Sequence, residues 1–147
     1  MPILNYTTSI AAEKTTAEIQ KILAKAGAKS ILTDYDDDNV LSAISFQILL
    51  NGQRLSFLLP AKIDSIYAVL MRDPDVPRRF RNREQASRVC WRIIKDWIQA
   101  QLALVEAEQA KVTEVFLPYA QDQSGQTLYQ KLEESEFRGL LGYESDG

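Results

Sequence analysis

The dipeptide Asn51-Gly52 stands between two apolar runs, and no other feature restricts the fold of this chain as tightly. Both central positions of a two-residue hairpin turn require positive φ, which Asn and Gly supply at least cost. Before it, over 40–49, Leu41, Ala43, Ser45 and Gln47 alternate with Ser42, Ile44, Phe46 and Ile48. After it, 53–59 is a matching run that stops at Pro60. A third apolar run, 30–35, is separated from the second by the acidic turn Asp36-Asp37-Asp38-Asn39. Residues 30–59 therefore predict an antiparallel three-strand meander.

Helical periodicity surrounds it. Thr15 and Glu18 have the spacing of a capping box, and Ile19, Ile22, Leu23 and Ala26 share a face, which predicts a helix over 15–26 ended by Gly27. Ile3 to Ile10 is rich in β-branched residues and reads as a short strand. A short helix is expected over 63–71, then a loop punctuated by Pro74 and Pro77. Asn82 caps the longest helix, expected over 83–110, whose apolar face runs through Ala86, Val89, Cys90, Ile93, Ile94, Trp97, Gln101, Leu104 and Val105. Pro118 argues against a long helix through 112–119, and 127–134 reads as a final short helix. The expected fold is α+β: an antiparallel meander of three to four strands packed against an N-terminal helix and a long central helix, with a short C-terminal helix. The 147 residues make one domain, 1–147, with 140–147 expected to fray.

Composition removes several chemistries. The chain has no histidine and one cysteine, Cys90. A Ser-His-Asp hydrolase, a His-ligated zinc enzyme and a Cys-rich zinc site are excluded. Cys90 has no partner for an internal disulfide, which suits a reducing, cytoplasmic setting, and it reads as a core residue. The N-terminus shows no signal-peptide pattern, and no run has the length of a membrane span, so no membrane partner is expected. Glycines at 52, 125, 139 and 142 lack phosphate-loop spacing. No cofactor is expected.

Charge is distributed unevenly. Residues 72–95 carry eight basic and three acidic side chains, a net +5, in a chain of formal charge −3, so the other 123 residues sum to −8. Arg78, Arg79, Arg81, Arg83, Arg88, Arg92 and Lys95 are joined there by Phe80 and Trp91. On a helical wheel Arg88, Arg92 and Lys95 fall opposite the apolar stripe, with Trp91 at its border. Cations that meet phosphates, and rings that stack on bases at about 1–3 kcal/mol each, suit single-stranded nucleic acid. The plainer alternative is a solvated helix face whose arginine stems cover apolar surface. Arg and Trp also favour protein interfaces.

The acidic run Asp34, Asp36, Asp37, Asp38 resembles the opening of a calcium loop, but Asn39 stands where glycine is required and Ser45 where the bidentate glutamate belongs. A solvated turn is the expected reading, and no metal ligand set is assigned. The apolar C-terminal third, with Val115, Phe116, Leu117, Tyr119, Leu128, Tyr129, Phe137, Leu140, Leu141 and Tyr143, either wraps the core or forms a partner or self-association surface.

The stretches IQKILAKAGAKSILTDYDDD, ISF and VPRRFRNREQASRVCWRIIKDWIQAQLALVE, followed by EVFLPYA and LYQKLEE, resemble a family of small uncharacterised proteins of bacteriophages, prophages and bacterial genomes. The resemblance covers most of the chain and implies a bacterial cytosolic setting in phage or mobile-element DNA metabolism. It brings no activity and no site residue. The expected function is a non-catalytic accessory protein that binds nucleic acid, single-stranded DNA ahead of duplex, through Arg78, Arg79, Arg81, Arg83, Arg88, Trp91, Arg92 and Lys95. The alternative is a protein-interaction module, a small regulator or inhibitor of a host or element-encoded complex. A metal-dependent nuclease ranks third, and a homo-oligomer is compatible with either leading reading.

Overall fold

The structure, a computed structural model, describes residues 1–142. Its elements run α1 (Ala12–Lys25), β1 (Ser30–Tyr35), β2 (Leu41–Leu50), β3 (Gln53–Pro60), α2 (Ile63–Arg72), α3 (Arg83–Glu106), α4 (Val112–Val115), β4 (Ala120–Gln121) and α5 (Leu128–Glu134). A 3-10 turn, Arg78–Phe80, leads into α3, and another, Leu117–Tyr119, precedes β4. The fold is α+β, with one four-stranded antiparallel sheet in the order β1-β2-β3-β4.

The meander forms where its turn residues dictate. Asn51 and Gly52 adopt φ of 53° and 79°, which closes the β2–β3 hairpin with Leu50 opposite Gln53. Asn39 has φ 61°, and the Asp36 carboxylate accepts from the Asp38 and Val40 amides at 2.9 and 3.0 Å, so the acidic turn is held by its own side chain. Strand alternation then sends Ile31, Ile44, Phe46, Phe57 and Leu59 to one face. There Phe46 and Phe57 stack with ring centroids 5.0 Å apart. The opposite face carries a polar ladder: Arg54 donates to Ser30 Oγ at 2.7 Å and Gln47 Oε1 at 3.1 Å, and Gln47 donates to Ser56 Oγ at 2.9 Å.

Helices cover the apolar face. Ile19 and Leu23 of α1, Cys90, Trp91 and Ile98 of α3, and Phe116 close the core over the sheet. Phe116 meets Phe46 edge-on at 5.4 Å and Trp97 at 5.5 Å, so the C-terminal third does pack into the core at this point. Leu117, Tyr129, Leu140 and Leu141 from the same third stay exposed. A smaller cluster of Leu70, Val76 and Ala86 joins α2 to α3.

Several boundaries differ from expectation. Residues 3–10 form turns, not a strand; Gln85, buried on α3, donates to the carbonyls of Tyr6 and Thr8 at 2.8 and 2.9 Å and pins the segment in irregular form. Helix α1 begins at Ala12 with no side-chain cap, because Thr15 is already inside the helix and buried. Helix α3 stops at Glu106, where Glu108 turns to φ 60°. Residues 143–147 of the expected frayed tail lie outside the described residues.

Candidate functional site

Asn82 sets the geometry of the basic segment. Its side-chain oxygen accepts from the Gln85 amide at 2.8 Å, which starts α3, and its amide nitrogen donates to the Arg79 carbonyl at 3.1 Å, which ties the helix to the preceding turn. From that junction the cations diverge.

Arg92 points at α1. Its Nη1 donates to the Glu18 carboxylate at 2.6 Å and to Thr15 Oγ at 3.4 Å, and its side chain is 13% exposed. Lys95 Nζ lies 3.9 Å from the same carboxylate with 15% exposure. The Arg92 guanidinium holds the Glu18 carboxyl below the usual range, with the charge of Lys95 assisting. Arg88 donates to Gln85 Oε1 at 3.0 Å and to Glu84 at 2.9 Å. Arg83 pairs with Asp64 of α2 and lies 4.7 Å over the Tyr67 ring; the carboxylate raises the guanidinium pKa further. Arg81 donates to the Asp73 carbonyl at 2.9 Å, while its Nε is buried without a partner. Arg92 and Lys95 thus form a seam against α1, whereas Arg83 is paired on the surface with Asp64 and Arg88 is bonded within α3 itself.

Trp91 corrects the wheel-based expectation. It is fully buried, with its indole Nε1 unpaired, and has no ring face to offer a base. The physical reason is the second helix: α1 packs on the flank of α3 that holds Trp91 and Ile98, so the buried arc is wider than one stripe. Phe80 is half-buried and edge-on to Tyr6 at 5.8 Å. Of the eight proposed contact residues, Arg78 and Arg79 are the exposed cations for which no carboxylate lies within 4.0 Å among the described residues; Arg79 rests 4.7 Å over Phe80.

The acidic run opens onto a cleft of about 400 Å³ at the starts of α1, α2 and α3, lined by Asp36, Asp38, Asp64, Glu84, Arg83 and Arg88 among others. Of its carboxylates, Asp36 caps the turn, and Asp64 and Glu84 pair with Arg83 and Arg88. Among the described residues no three carboxylate or thiol side chains converge closely enough to hold a metal ion. Cys90 is buried, and desolvation pushes its thiol up to about 11, which leaves it protonated and inert at neutral pH.

Sequence reasoning missed a groove. About 650 Å³ in volume, it runs between α2, α3 and the segment leading into α5, lined by Leu58, Pro60, Ile66, Ile93, Ile94, Tyr119 and Tyr129. A hollow of about 260 Å³ shares Pro60, Ile93, Ile94 and Tyr119 and extends it toward Trp97. Lys62, also part of the lining, is exposed and has no carboxylate within 4.0 Å among the described residues. Local patterns marked Ile93, Ile94 and Tyr119 as apolar. They carried no sign that the C-terminal segment would stop short of covering them.

The chain matches no protein-family model, and neither the curated proteins nor the solved structures hold a match to it. No helix among the described residues is long and apolar enough to cross a membrane.

Proposed function

We propose that this protein acts by binding a segment of another protein in the groove between α2, α3 and the C-terminal segment. The observation that carries the reading is the contrast between the two surfaces. The cations of α3 are engaged by side chains of the fold itself, whereas Ile93, Ile94, Tyr119 and Tyr129 line an open, mainly apolar trench. Concave apolar surface with a few polar groups is the usual form of a recognition site. The charge of Lys62 favours a partner segment that carries an acidic residue beside its apolar anchors. The resemblance to phage and bacterial proteins supports a host or element-encoded complex as the source of that segment.

A random-peptide selection against the full chain tests this. Enriched peptides are expected to carry apolar anchors flanked by Asp or Glu, to lose binding to Tyr129→Glu, and to weaken at least several-fold on Lys62→Glu. Both positions are exposed, and the ring contact that Tyr129→Glu removes is with Phe137, outside the core. Selected peptides that bind both variants as tightly as the parent chain would defeat the reading.

A second reading keeps nucleic acid, supported by the exposure of Arg78 and Arg79 together with Arg72 at the end of α2. Three phosphate contacts to a single strand give a salt slope of about −2 in log K against log salt. Anisotropy of a labelled oligonucleotide that shows this slope, and loses binding with Arg78→Glu and Arg79→Glu together, would favour it. No binding at low salt would retire it.

A further inference from the structure

The sheet ends in a free strand. β1 has β2 on one side, and among the described residues no backbone group pairs with its other edge. At the opposite end the two-residue β4 covers Ser56 and Phe57 of β3 and is itself bridged from Gln121 to Thr127. An unpaired edge is a template for another strand, and proteins that stay monomeric usually blunt it with central charges, prolines or bulges. Here the bulge lies between Asp34 and Tyr35, at the end of the strand. The regular part, Ser30–Asp34, has an exposed leucine at its centre: Leu32 is 66% exposed.

Charge at this edge is segregated by direction. Lys25 and Lys29 lie just before β1, and Asp34, Asp36, Asp37 and Asp38 lie at or beyond its end. Lys25, Lys29, Asp37 and Asp38 are exposed, with no ion pair among the described residues. A parallel neighbour of the same sequence would set acid beside acid. An antiparallel neighbour sets each acidic end beside a basic one.

We infer that β1 pairs with β1 of a second copy of this chain, antiparallel about a two-fold axis at Leu32. Strand faces match across a two-fold only when the register keeps like parity together. This register does so. It places Leu32 against its own counterpart, Ser30 against Asp34, and Lys29 against Tyr35 next to the acidic turn, each contact occurring twice by symmetry. The two four-stranded sheets then join into one. The inference is independent of the groove, which lies at α2, α3 and the C-terminal segment.

Light scattering on the full chain tests it through charge reversal. The parent protein is expected to approach twice its 16.7 kDa mass as concentration rises, and less so in high salt. Lys25→Glu with Lys29→Glu makes both ends acidic, and Asp34→Lys with Asp37→Lys and Asp38→Lys makes both ends basic; Asp36 is spared because it holds the turn. Each variant alone is expected to remain at 16.7 kDa, and an equal mixture of the two to regain the doubled mass. Regained mass in the mixture also shows that both variants are folded. A parent chain that stays monomeric up to about 1 mM would overturn the inference. So would a doubled mass that persists in each variant alone, or a mixture that fails to associate.

Discussion

Trp91 is the residue on which the reading of the molecule turns. A helical wheel places it between the apolar stripe and Arg88, Arg92 and Lys95, a position open to either role. The wheel describes one helix and contains no information about where a second will pack. Because α1 lies on that flank, the indole is core, and Trp91→Ala is expected to cost about 3–5 kcal/mol in chemical denaturation. A cost below about 1 kcal/mol would mean that the ring does not support the core. Cys90, one residue earlier, was legible from its apolar neighbours alone. With burial pushing its thiol up to about 11, a thiol reagent at about pH 8 is expected to label it far more slowly than a free thiol, although it lines the floor of the groove. Rapid labelling of the folded protein would contradict that.

Elements were legible where a local rule decides them. Asn51-Gly52 and Asn82 each satisfy a backbone requirement within a few residues, so the hairpin and the start of α3 follow directly from the sequence. The Thr15–Glu18 spacing satisfied the same kind of rule and failed, because both side chains are used across the α1–α3 seam. The supposed strand at 3–10 failed for a related reason: Gln85, 77 and 79 positions away from its acceptors, takes the segment's carbonyls. The loop before α5 offers a pH test. Asp122 accepts from the Ser124 and Gln126 amides at 2.9 and 3.1 Å, and its other oxygen lies 2.7 Å from Lys131 Nζ. Lys131, and after it the Ser124 hydroxyl, hold the Asp122 carboxyl well below the usual range. The folded-state pKa is depressed, so this support is complete above the unfolded value of about 4 and is lost only as pH falls through the lower folded value. The Gln126 amide resonance is expected to keep its folded shift through pH 4 and to move only in stronger acid. Movement already complete by about pH 4, the unfolded value, would show that the ion pair contributes nothing.

At the scale of the whole molecule, the net +5 of residues 72–95 is answered by carboxylates brought from elsewhere, chiefly Glu18 and Asp64. Fold class could be read from periodicity because a meander and two amphipathic helices leave few ways to bury their apolar faces. The site could not, since it depends on which distant acid meets which arginine: Glu18 and Arg92 lie 74 positions apart. The same long-range packing covers Arg92 and Lys95 and leaves the groove and the β1 edge open. The account therefore rests on the α1–α3 seam being structural. A charge-swap cycle measures this most directly, by thermal denaturation of Glu18→Arg, Arg92→Glu and the double variant. Each single change is expected to lower the midpoint, because it sets like charges against each other in the seam, and the double swap to recover most of the loss. Midpoints equal to the parent in all three proteins, with oligonucleotide binding abolished by Arg92→Glu, would contradict the account and return the basic segment to nucleic acid.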